Sequence, residues 1–371
     1  MDHYFTSLLE ETENHLITEA VDQGYIPVGY TCSYVPDVLL TLGDIFPVRL
    51  RAPGITGTEM ADTYLSSVIC SFSRSILEYF MDGRYDFLQG TVCTAGCDHL
   101  RRLYDNLEYL TKPAFNYILD VPHRISENAL DWFVKELHTF IEALSRQYGV
   151  SVDDDILLNA IEAHNAFHGT LRSIGNLRLQ DNPPLTGAQF HRILLASLVT
   201  PRHLFMKELE TYRQSLNEMK GARNIRARLM LVGCQLDDPE YIATIESQGG
   251  LVVADRFCTG SLPGLEDIEI TGDPVTSIAR HYLGRTNCPR MMEDFNKRFN
   301  YIVDQAKRYR VDGVIIEAVK FCDIWGVEMT PMVSALRKAS IPVLRLEREY
   351  RHSGEGQLRT RVQAFLESMG R

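Results

Sequence analysis

Short apolar runs alternate with helical stretches in two separate parts of the sequence, and this alternation constrains the fold more than any other feature. The runs lie at residues 26–30, 47–50, 90–93 and 115–120, and again at 229–232, 251–254, 313–318 and 343–346. Strands that alternate with helices at this spacing are typical of βαβ units, which form a parallel sheet covered on both faces. The sequence therefore predicts an α/β protein with two similar parallel-sheet domains.

The stretches between these runs have helical periodicity. We expect helices at residues 35–42, 66–81, 98–107, 241–247, 273–283, 291–309, 327–338 and 357–369. Long helices also fill the part from about residue 130 to 220, with a break at the polar, proline-rich run 180–184. The predicted segments are an N-terminal helical segment at 1–20, a first α/β domain at 21–140, a helical connector at 141–225 and a second α/β domain at 226–371.

Composition excludes several classes of protein. The 371 residues suffice for two or three domains with sizeable cores. The net charge of −11 argues against a broad basic surface for nucleic acid or an anionic membrane. No apolar run approaches the roughly 18 residues of a membrane span, and the N-terminus lacks a basic region followed by an apolar one. We therefore expect a cytoplasmic protein with neither a membrane nor a nucleic acid as partner.

The eight cysteines are the first functional signal. In a reducing compartment, thiols are more often buried, metal-binding or catalytic than paired. Zinc sites usually contain closely spaced cysteine pairs, whereas this chain has only the loose pair Cys93 and Cys97. No histidine stands in a recognisable nucleophile motif, and no P-loop or G-x-G-x-x-G occurs in a suitable context. A site built from thiolates on separate loops remains, and such a set suits an iron–sulfur cluster.

Two of the cysteines occupy corresponding places in the two halves. Cys97-Asp98 and Cys322-Asp323 each follow a predicted strand and precede a predicted helix. Ligands of open α/β sheets collect outside the carboxyl ends of the strands, so facing domains would bring both cysteines toward one cleft. We expect each aspartate to cap its helix. A helix N-terminus would stabilise a thiolate and a net-negative cluster.

The alternative for any single cysteine is that it is a small buried hydrophobe. Cys234 and Cys258, which follow predicted strands, fit that alternative best.

Several segments together resemble one known family. They are IPVGY at 26–30, CSFSRS at 70–75, GCD at 96–98, VADRFCTG at 253–260, VDGVI at 311–315, KFCD at 320–323 and GQLRTRVQAF at 356–365. In these segments the sequence resembles the 2-hydroxyacyl-CoA dehydratase and benzoyl-CoA reductase subunit family, in particular the smaller, β-type dehydratase subunit. The resemblance spans nearly the whole chain.

The resemblance implies two flavodoxin-like or Rossmann-like domains with a four-iron four-sulfur (4Fe-4S) cluster in the cleft between them. Carried over by motif, the cluster ligands are Cys70, Cys97 and Cys322. Three neighbours of Cys70 are candidates for residues that surround the cluster without binding its iron, namely Ser71, Ser73 and Arg74. The alternative is that these residues only form an ordinary helix start with solvated hydroxyl groups. The resemblance identifies no catalytic residue in this chain.

The resemblance also implies partners and a reaction. Two related subunits pair in the dehydratases, so we expect a related larger subunit or a second copy of this chain. A separate ATP-dependent iron–sulfur activator supplies a low-potential electron. The electron converts the acyl-CoA thioester into a ketyl radical anion, which expels the hydroxyl group as water and later returns the electron. Benzoyl-CoA reductases use the same ATP-driven electron injection to reduce an aromatic ring.

Some residues leave alternatives open. Cys32 and Cys288 resemble additional cysteines in family branches that hold a double-cubane cluster on six thiolates, and Cys93 is a further candidate ligand. A non-catalytic electron-transfer module would use the same thiolates without an acyl-CoA. A two-lobed protein that binds a small molecule in its cleft would have cysteines that are merely buried.

Overall fold

Two parallel sheets form the frame of the protein in a computed structural model, which describes residues 2–219, 221, 225–261, 265–285, 288–351 and 353–370. The strands of the first sheet are β1 (Ile26–Tyr30), β2 (Ile45–Arg49), β3 (Gly90–Thr94) and β4 (Asn116–Leu119). The strands of the second are β5 (Ala227–Gly233), β6 (Gly250–Arg256), β7 (Gly313–Val319) and β8 (Val343–Arg348). The predicted α/β class is confirmed.

The two sheets have the same strand order. The first runs β2-β1-β3-β4 and the second β6-β5-β7-β8, with every neighbouring pair parallel. The order therefore reverses between β1 and β3 in one sheet and between β5 and β7 in the other. A crevice forms at such a reversal, outside the carboxyl ends of the strands.

Helices cover both faces of the sheets and form the connector. In chain order they are α1 (Asp2–Ser7), α2 (His15–Asp22), α3 (Ser71–Met81), α4 (Asp98–Leu110), α5 (Glu127–Tyr148), α6 (Asp154–Asn176), α7 (Gly187–Leu198), α8 (Arg202–Ser215), α9 (Pro239–Glu246), α10 (Pro274–Gly284), α11 (Phe295–Arg308), α12 (Asp323–Lys338) and α13 (Glu355–Ser368). Helix α5, which spans the predicted boundary at residue 140, packs against α10, so this part of the chain contacts the second half. The segment bounds given above stay a prediction.

The burial of the strands explains why the sequence pattern reveals them. Every residue of β2, β3, β6 and β7 is buried. A strand between two helical layers meets apolar side chains on both faces, so it is a continuous apolar run instead of an alternating one.

Four predicted helices differ clearly from the structure. The helix predicted at 291–309 begins only at Phe295, and the helix predicted at 327–338 already begins at Asp323. The segment 35–42 contains only turns and the short 3-10 helix Leu39–Thr41, because nearly all of its side chains are buried and it has no polar face for a helix to expose. The helix predicted from residue 66 begins only at Ser71. Serine side chains compete with helical hydrogen bonds, and the Ser66 hydroxyl accepts the backbone N–H of Val68 at 3.5 Å.

Both halves share one hydrophobic core. Leu50 and Phe72 from the first half belong to the same buried cluster as Val232, Ile316 and Trp325 from the second. A common core fixes the relative position of the two sheets, because separating the halves would expose this apolar surface to water.

Arginine side chains add polar contacts across the cleft. Arg290 donates to the carbonyl oxygens of Gly96 at 3.2 Å, Val121 at 2.6 Å and Pro122 at 2.9 Å. These contacts attach the loop before α11 to the ends of β3 and β4. None of the helices within the described ranges combines the length and the apolar character needed to cross a bilayer.

Candidate functional site

Seven of the eight cysteines line one cavity of about 100 Å³ between the two sheets. They are Cys32, Cys70, Cys97, Cys234, Cys258, Cys288 and Cys322. The eighth, Cys93, lies within β3, is fully buried and is not part of the lining. All eight are free thiols. The three ligands implied by the resemblance therefore meet in one place, together with four further thiols.

The strand order explains this convergence. Cys32 and Cys97 follow β1 and β3, the two strands between which the first sheet reverses. Cys234 and Cys322 follow β5 and β7, the equivalent strands of the second sheet, and Cys258 follows β6. All carboxyl ends of a parallel sheet lie at one edge, so residues just after these strands come together at the crevice.

Three of the cysteines also occupy helix starts. Cys70, Cys97 and Cys322 are the N-cap residues of α3, α4 and α12. The prediction that Asp98 and Asp323 cap these helices is wrong: both lie inside the first turn with largely exposed side chains, because the preceding cysteine occupies each N-cap position. The three sulfurs are thus next to the positive ends of helix dipoles, where negative charge is stabilised.

Burial favours the protonated form of several of these thiols in the absence of a metal. It raises the pKa of Cys97 to about 12 and that of Cys288 to about 11, and it raises the pKa of Cys70 as well. For Cys322, the contact with the Cys234 thiol and then burial raise the pKa. Neighbouring thiolates would repel one another, and bound metal ions are the partners that stabilise several of them together.

The sequence favours Cys234 and Cys258 as buried hydrophobes, and Cys234 does belong to the shared hydrophobic core. Both line the cavity, and Cys234 Sγ accepts the backbone N–H of Val319 at 3.0 Å. The carboxyl group of Glu317 lies 4.0 Å from the same sulfur. Their position directly after strands of the second sheet was the signal that could have identified them.

The cavity wall contains N–H donors that lack an acceptor. Within the described part of the chain, no hydrogen-bond partner faces Arg49 Nε, Gln235 Nε2 or Trp325 Nε1, although all three atoms are buried and their residues line the cavity. A buried donor without a partner costs about 1–3 kcal/mol. Thiols together with unpaired N–H donors fit an iron–sulfur cluster, whose sulfur atoms accept hydrogen bonds.

The three neighbours of Cys70 differ in position. The Ser73 hydroxyl lies 3.5 Å from Cys70 Sγ. Ser71 instead accepts the backbone N–H of Tyr350 at 2.9 Å. Arg74 donates to the carbonyl of Ile69, to Thr58 and to Asp62, so it holds the loop before α3.

His99 connects the loops that carry the three helix-capping cysteines. Its Nδ1 accepts the backbone N–H of Cys70 at 3.2 Å, and its Nε2 lies 3.3 Å from Asp323 Oδ2. Because Nδ1 is an acceptor, the proton of the neutral ring is on Nε2, which donates to the carboxylate. The sequence analysis did not single out this residue, which lies two positions after Cys97.

A second group of potential metal ligands lies elsewhere. Asp37, His164 and His168 have ligand atoms within 4.8 Å of one another, the one such three-residue group among the described residues. Arg202 donates to Asp37 and lies 3.3 Å from His164 Nδ1. Burial acts to raise the pKa of Asp37, but Arg202, His168 and Arg285 together lower it to about 2. The Arg202 guanidinium is therefore already the cation beside this group. The group does not fit a metal ion for that reason.

The fold and the site define a two-domain parallel α/β protein with a thiol-lined cleft. Residues 32–369 match the family model described as 2-hydroxyglutaryl-CoA dehydratase, D-component, so the chain belongs to this family.

Curated relatives agree with this assignment. The chain is 24% identical to the (R)-phenyllactyl-CoA dehydratase beta subunit of Clostridium sporogenes, over 98% of this chain and 97% of that protein. It is 21% identical to the beta subunit of the (R)-2-hydroxyglutaryl-CoA dehydratase of Acidaminococcus fermentans, over 94% and 93%. It is 22% identical to one subunit of the benzoyl-CoA reductase of Thauera aromatica, over 85% and 84%. The family resemblance of the sequence is confirmed.

The buried histidines predict an acid-sensitive fold. Burial, Arg202 and Arg285 lower the pKa of His168 to about 3, although Asp37 opposes them. Above pH 6.5 the ring is neutral in the folded and unfolded states; as the pH falls below 6.5, only the unfolded state takes up the proton, so stability is lost. His168→Leu should therefore reduce the loss of unfolding free energy between pH 7 and pH 5 by about 2 kcal/mol.

Urea denaturation at both pH values measures this difference. The control is His138→Leu at an exposed position of α5. An unchanged pH dependence in the His168 variant would contradict the assignment.

Proposed function

We propose that the chain is the iron–sulfur subunit of an ATP-activated 2-hydroxyacyl-CoA dehydratase. The observation that carries the proposal is the convergence of seven thiols at the carboxyl ends of two equivalent sheets, in a member of this family. In this role, a low-potential electron passes to the thioester of an acyl-CoA. The hydroxyl group at carbon 2 is a poor leaving group until the adjacent carbonyl is made electron-rich, and elimination of water then follows. The electron is given back at the end, so the net reaction is a redox-neutral dehydration.

Three thiols are the proposed ligands of a 4Fe-4S cluster. Cys70, Cys97 and Cys322 come from three different helix N-termini that face one cavity. The cluster, when bound, supplies one-electron chemistry at a potential that the protein adjusts. Ser73, 3.5 Å from Cys70 Sγ, and Trp325 are the residues that we expect to donate hydrogen bonds there.

The rest of the complex is part of the proposal. Two of the relatives are named as beta subunits of dehydratases, which supports a related larger subunit as the partner. An ATP-dependent iron–sulfur activator would deliver the electron, and an acyl-CoA would be the substrate. The reduction of an aromatic ring is the runner-up reaction, because one relative belongs to a benzoyl-CoA reductase.

One observation favours a second candidate. Four thiols beyond the proposed three line the same cavity, namely Cys32, Cys234, Cys258 and Cys288. The thiols of Cys32 and Cys288 act on each other electrostatically, as do those of Cys258 and Cys288. Seven thiols exceed the six that a double-cubane cluster would use, so a homodimeric double-cubane reductase is the alternative.

Iron content tests the ligand assignment. In anaerobically purified protein, Cys70→Ala, Cys97→Ala or Cys322→Ala should weaken iron binding by at least roughly 10–100-fold, the loss that even outer-shell changes cause. The matched control is Cys93→Ala, because Cys93 is buried outside the cavity lining. Iron and acid-labile sulfide are measured in each variant. Equal iron in all four would refute the assignment.

Two further variants separate the cluster types. Cys32→Ala and Cys288→Ala should leave the iron of a single 4Fe-4S cluster in place. If either change removes about half of the bound iron, the chain holds the double-cubane cluster.

Turnover tests the reaction. The chain, its partner subunit, the activator, ATP and a reductant are incubated with (R)-phenyllactyl-CoA, (R)-2-hydroxyglutaryl-CoA or benzoyl-CoA, and the products are identified by mass spectrometry. We expect loss of one water from a 2-hydroxyacyl-CoA. Addition of hydrogen to benzoyl-CoA would favour the runner-up. No turnover of any of the three by iron-replete protein would contradict the dehydratase assignment and favour an electron-transfer module.

Trp325 should influence the cluster potential. Its Nε1 donor is buried at the cavity with no acceptor in the described protein. Trp325→Phe removes one donor and keeps an aromatic ring, so the potential should become more negative by roughly 20–65 mV, which is about 0.5–1.5 kcal/mol converted for one electron. A redox titration followed by electron paramagnetic resonance measures it. An unchanged potential would mean that the indole donates to another group.

A further inference from the structure

Two arginine side chains line the thiol-containing cavity between the sheets, one from each half of the chain. Arg49 is the last residue of β2, and Arg290 lies in the loop before α11. Only 3% of Arg49 and 4% of Arg290 are exposed, so both guanidinium groups are largely removed from water. A guanidinium keeps its proton in proteins. Each of the two residues therefore brings one buried positive charge to the cavity.

Neither charge has a carboxylate partner within the described ranges, in contrast to three other buried arginines. Arg49 donates to the side-chain oxygen of Gln235 at 3.1 Å. Arg290 donates to three backbone carbonyl oxygens. These acceptors are neutral, so they leave the charge of each guanidinium in place. The three arginines with ion pairs are Arg51 with Asp237, Arg178 with Asp255 and Arg298 with Glu328.

The cavity wall supplies no negative side chain to balance these charges. No aspartate or glutamate is among the described residues that line it. Glu317 lies 4.0 Å from the sulfur of Cys234, but its carboxyl group accepts from Arg348 at 2.7 Å and so has its own positive partner. Burial raises the pKa of Tyr30, so its ring, 5.2 Å from Arg49 Cζ, is uncharged as well.

The field of both guanidinium groups reaches the sulfur atoms of the cavity. Burial raises the pKa of the Cys258 and Cys288 thiols, whereas Arg49 acts in the opposite direction at Cys258 and Arg290 does so at Cys288. A buried charge without an opposite charge is strongly unfavourable. The cavity is therefore complementary to a group of net negative charge, which an iron–sulfur cluster on thiolate ligands has.

We propose that Arg49 raises the reduction potential of the cluster in this cavity, because its unneutralised charge stabilises the reduced form. The inference rests on the proposed function, in which the cluster binds here. Reduction adds one electron, and thus one negative charge, to the cluster; the electron comes from the low-potential donor of the proposed function. Attraction to a fixed cation is strong away from water, and it is greater for the more negative, reduced form. Net charge is one of the factors that set the potential of a cluster.

The charge of Arg49 can be altered with less effect on the fold than that of Arg290. Arg290 holds the ends of β3 and β4 through three carbonyl groups. Arg49 makes one side-chain hydrogen bond in the described protein, to Gln235. Because that bond joins Arg49 Nη2 to Gln235 Oε1 at 3.1 Å, a carboxylate at position 235 would stand at ion-pair distance. The charge can thus be removed at one position or neutralised at the other.

Redox titration of the anaerobically purified chain, followed by electron paramagnetic resonance, tests the proposal. Arg49→Met removes the charge, and Gln235→Glu places a carboxylate beside it. In each variant we expect the equilibrium constant for one-electron reduction to fall at least tenfold, which makes the potential about 59 mV more negative. Arg49→Lys keeps the charge and should retain most of the wild-type potential. The control is Arg192→Met, which removes an arginine outside the cavity lining that is paired with Glu240 and should leave the potential unchanged.

Iron and sulfide contents are measured beside each potential. If Arg49→Met does not hold the cluster, Gln235→Glu decides, since it has nearly the same shape as the wild-type side chain. An unchanged potential in iron-replete protein of either variant would overturn the role of Arg49. An equal shift in Arg49→Lys would also overturn it, because shape and not charge would then be responsible. Absence of any cluster from the wild-type chain would refute the proposed function, and this inference with it.

Discussion

The meeting of thiols from both halves at one buried point is the constraint on which the rest of the structure depends. It follows from parallel strands, because a parallel sheet presents all its carboxyl ends at one edge. Two sheets of identical strand order face each other here, and cysteines follow β1, β3, β5, β6 and β7. Burial raises the pKa of the Cys97 and Cys258 thiols, and that of the Cys288 thiol in the same cavity. The fold thus provides a soft-donor site whose thiolates need a bound metal to be stable.

The site requires both halves to stay in register, and several contacts achieve this. The shared hydrophobic core sets the distance between the sheets. Arg290 binds three carbonyl groups at the ends of β3 and β4, including that of Gly96 beside Cys97. His99 links the Cys70 backbone to Asp323 beside Cys322. Because the residues that hold the site are themselves fixed by packing and hydrogen bonds, the positions of its cysteines are well defined.

Much of the site could be predicted from the sequence because its signals are local. The strand followed by Cys-Asp located Cys97 and Cys322, and the fully apolar runs located the sheet strands. Cys234 and Cys258 were not predicted to line the cavity, because a cysteine just after a strand looks the same in sequence whether it packs in the core or faces a cavity. The N-cap positions were misplaced by one residue, at Asp98 and Asp323 in place of Cys97 and Cys322, since a cap depends on backbone angles that composition does not fix. The unpaired donor of Trp325 depends on tertiary packing, which no local pattern contains.

The central claim is that iron binds between the sheets on cysteines from both halves. Anomalous diffraction at the iron absorption edge, from crystals of anaerobically prepared protein, tests it most directly. The account predicts a compact iron peak within bonding distance of Cys70, Cys97 and Cys322. Iron-replete crystals with the anomalous peak at the protein surface, or bound by cysteines of one half alone, would contradict it.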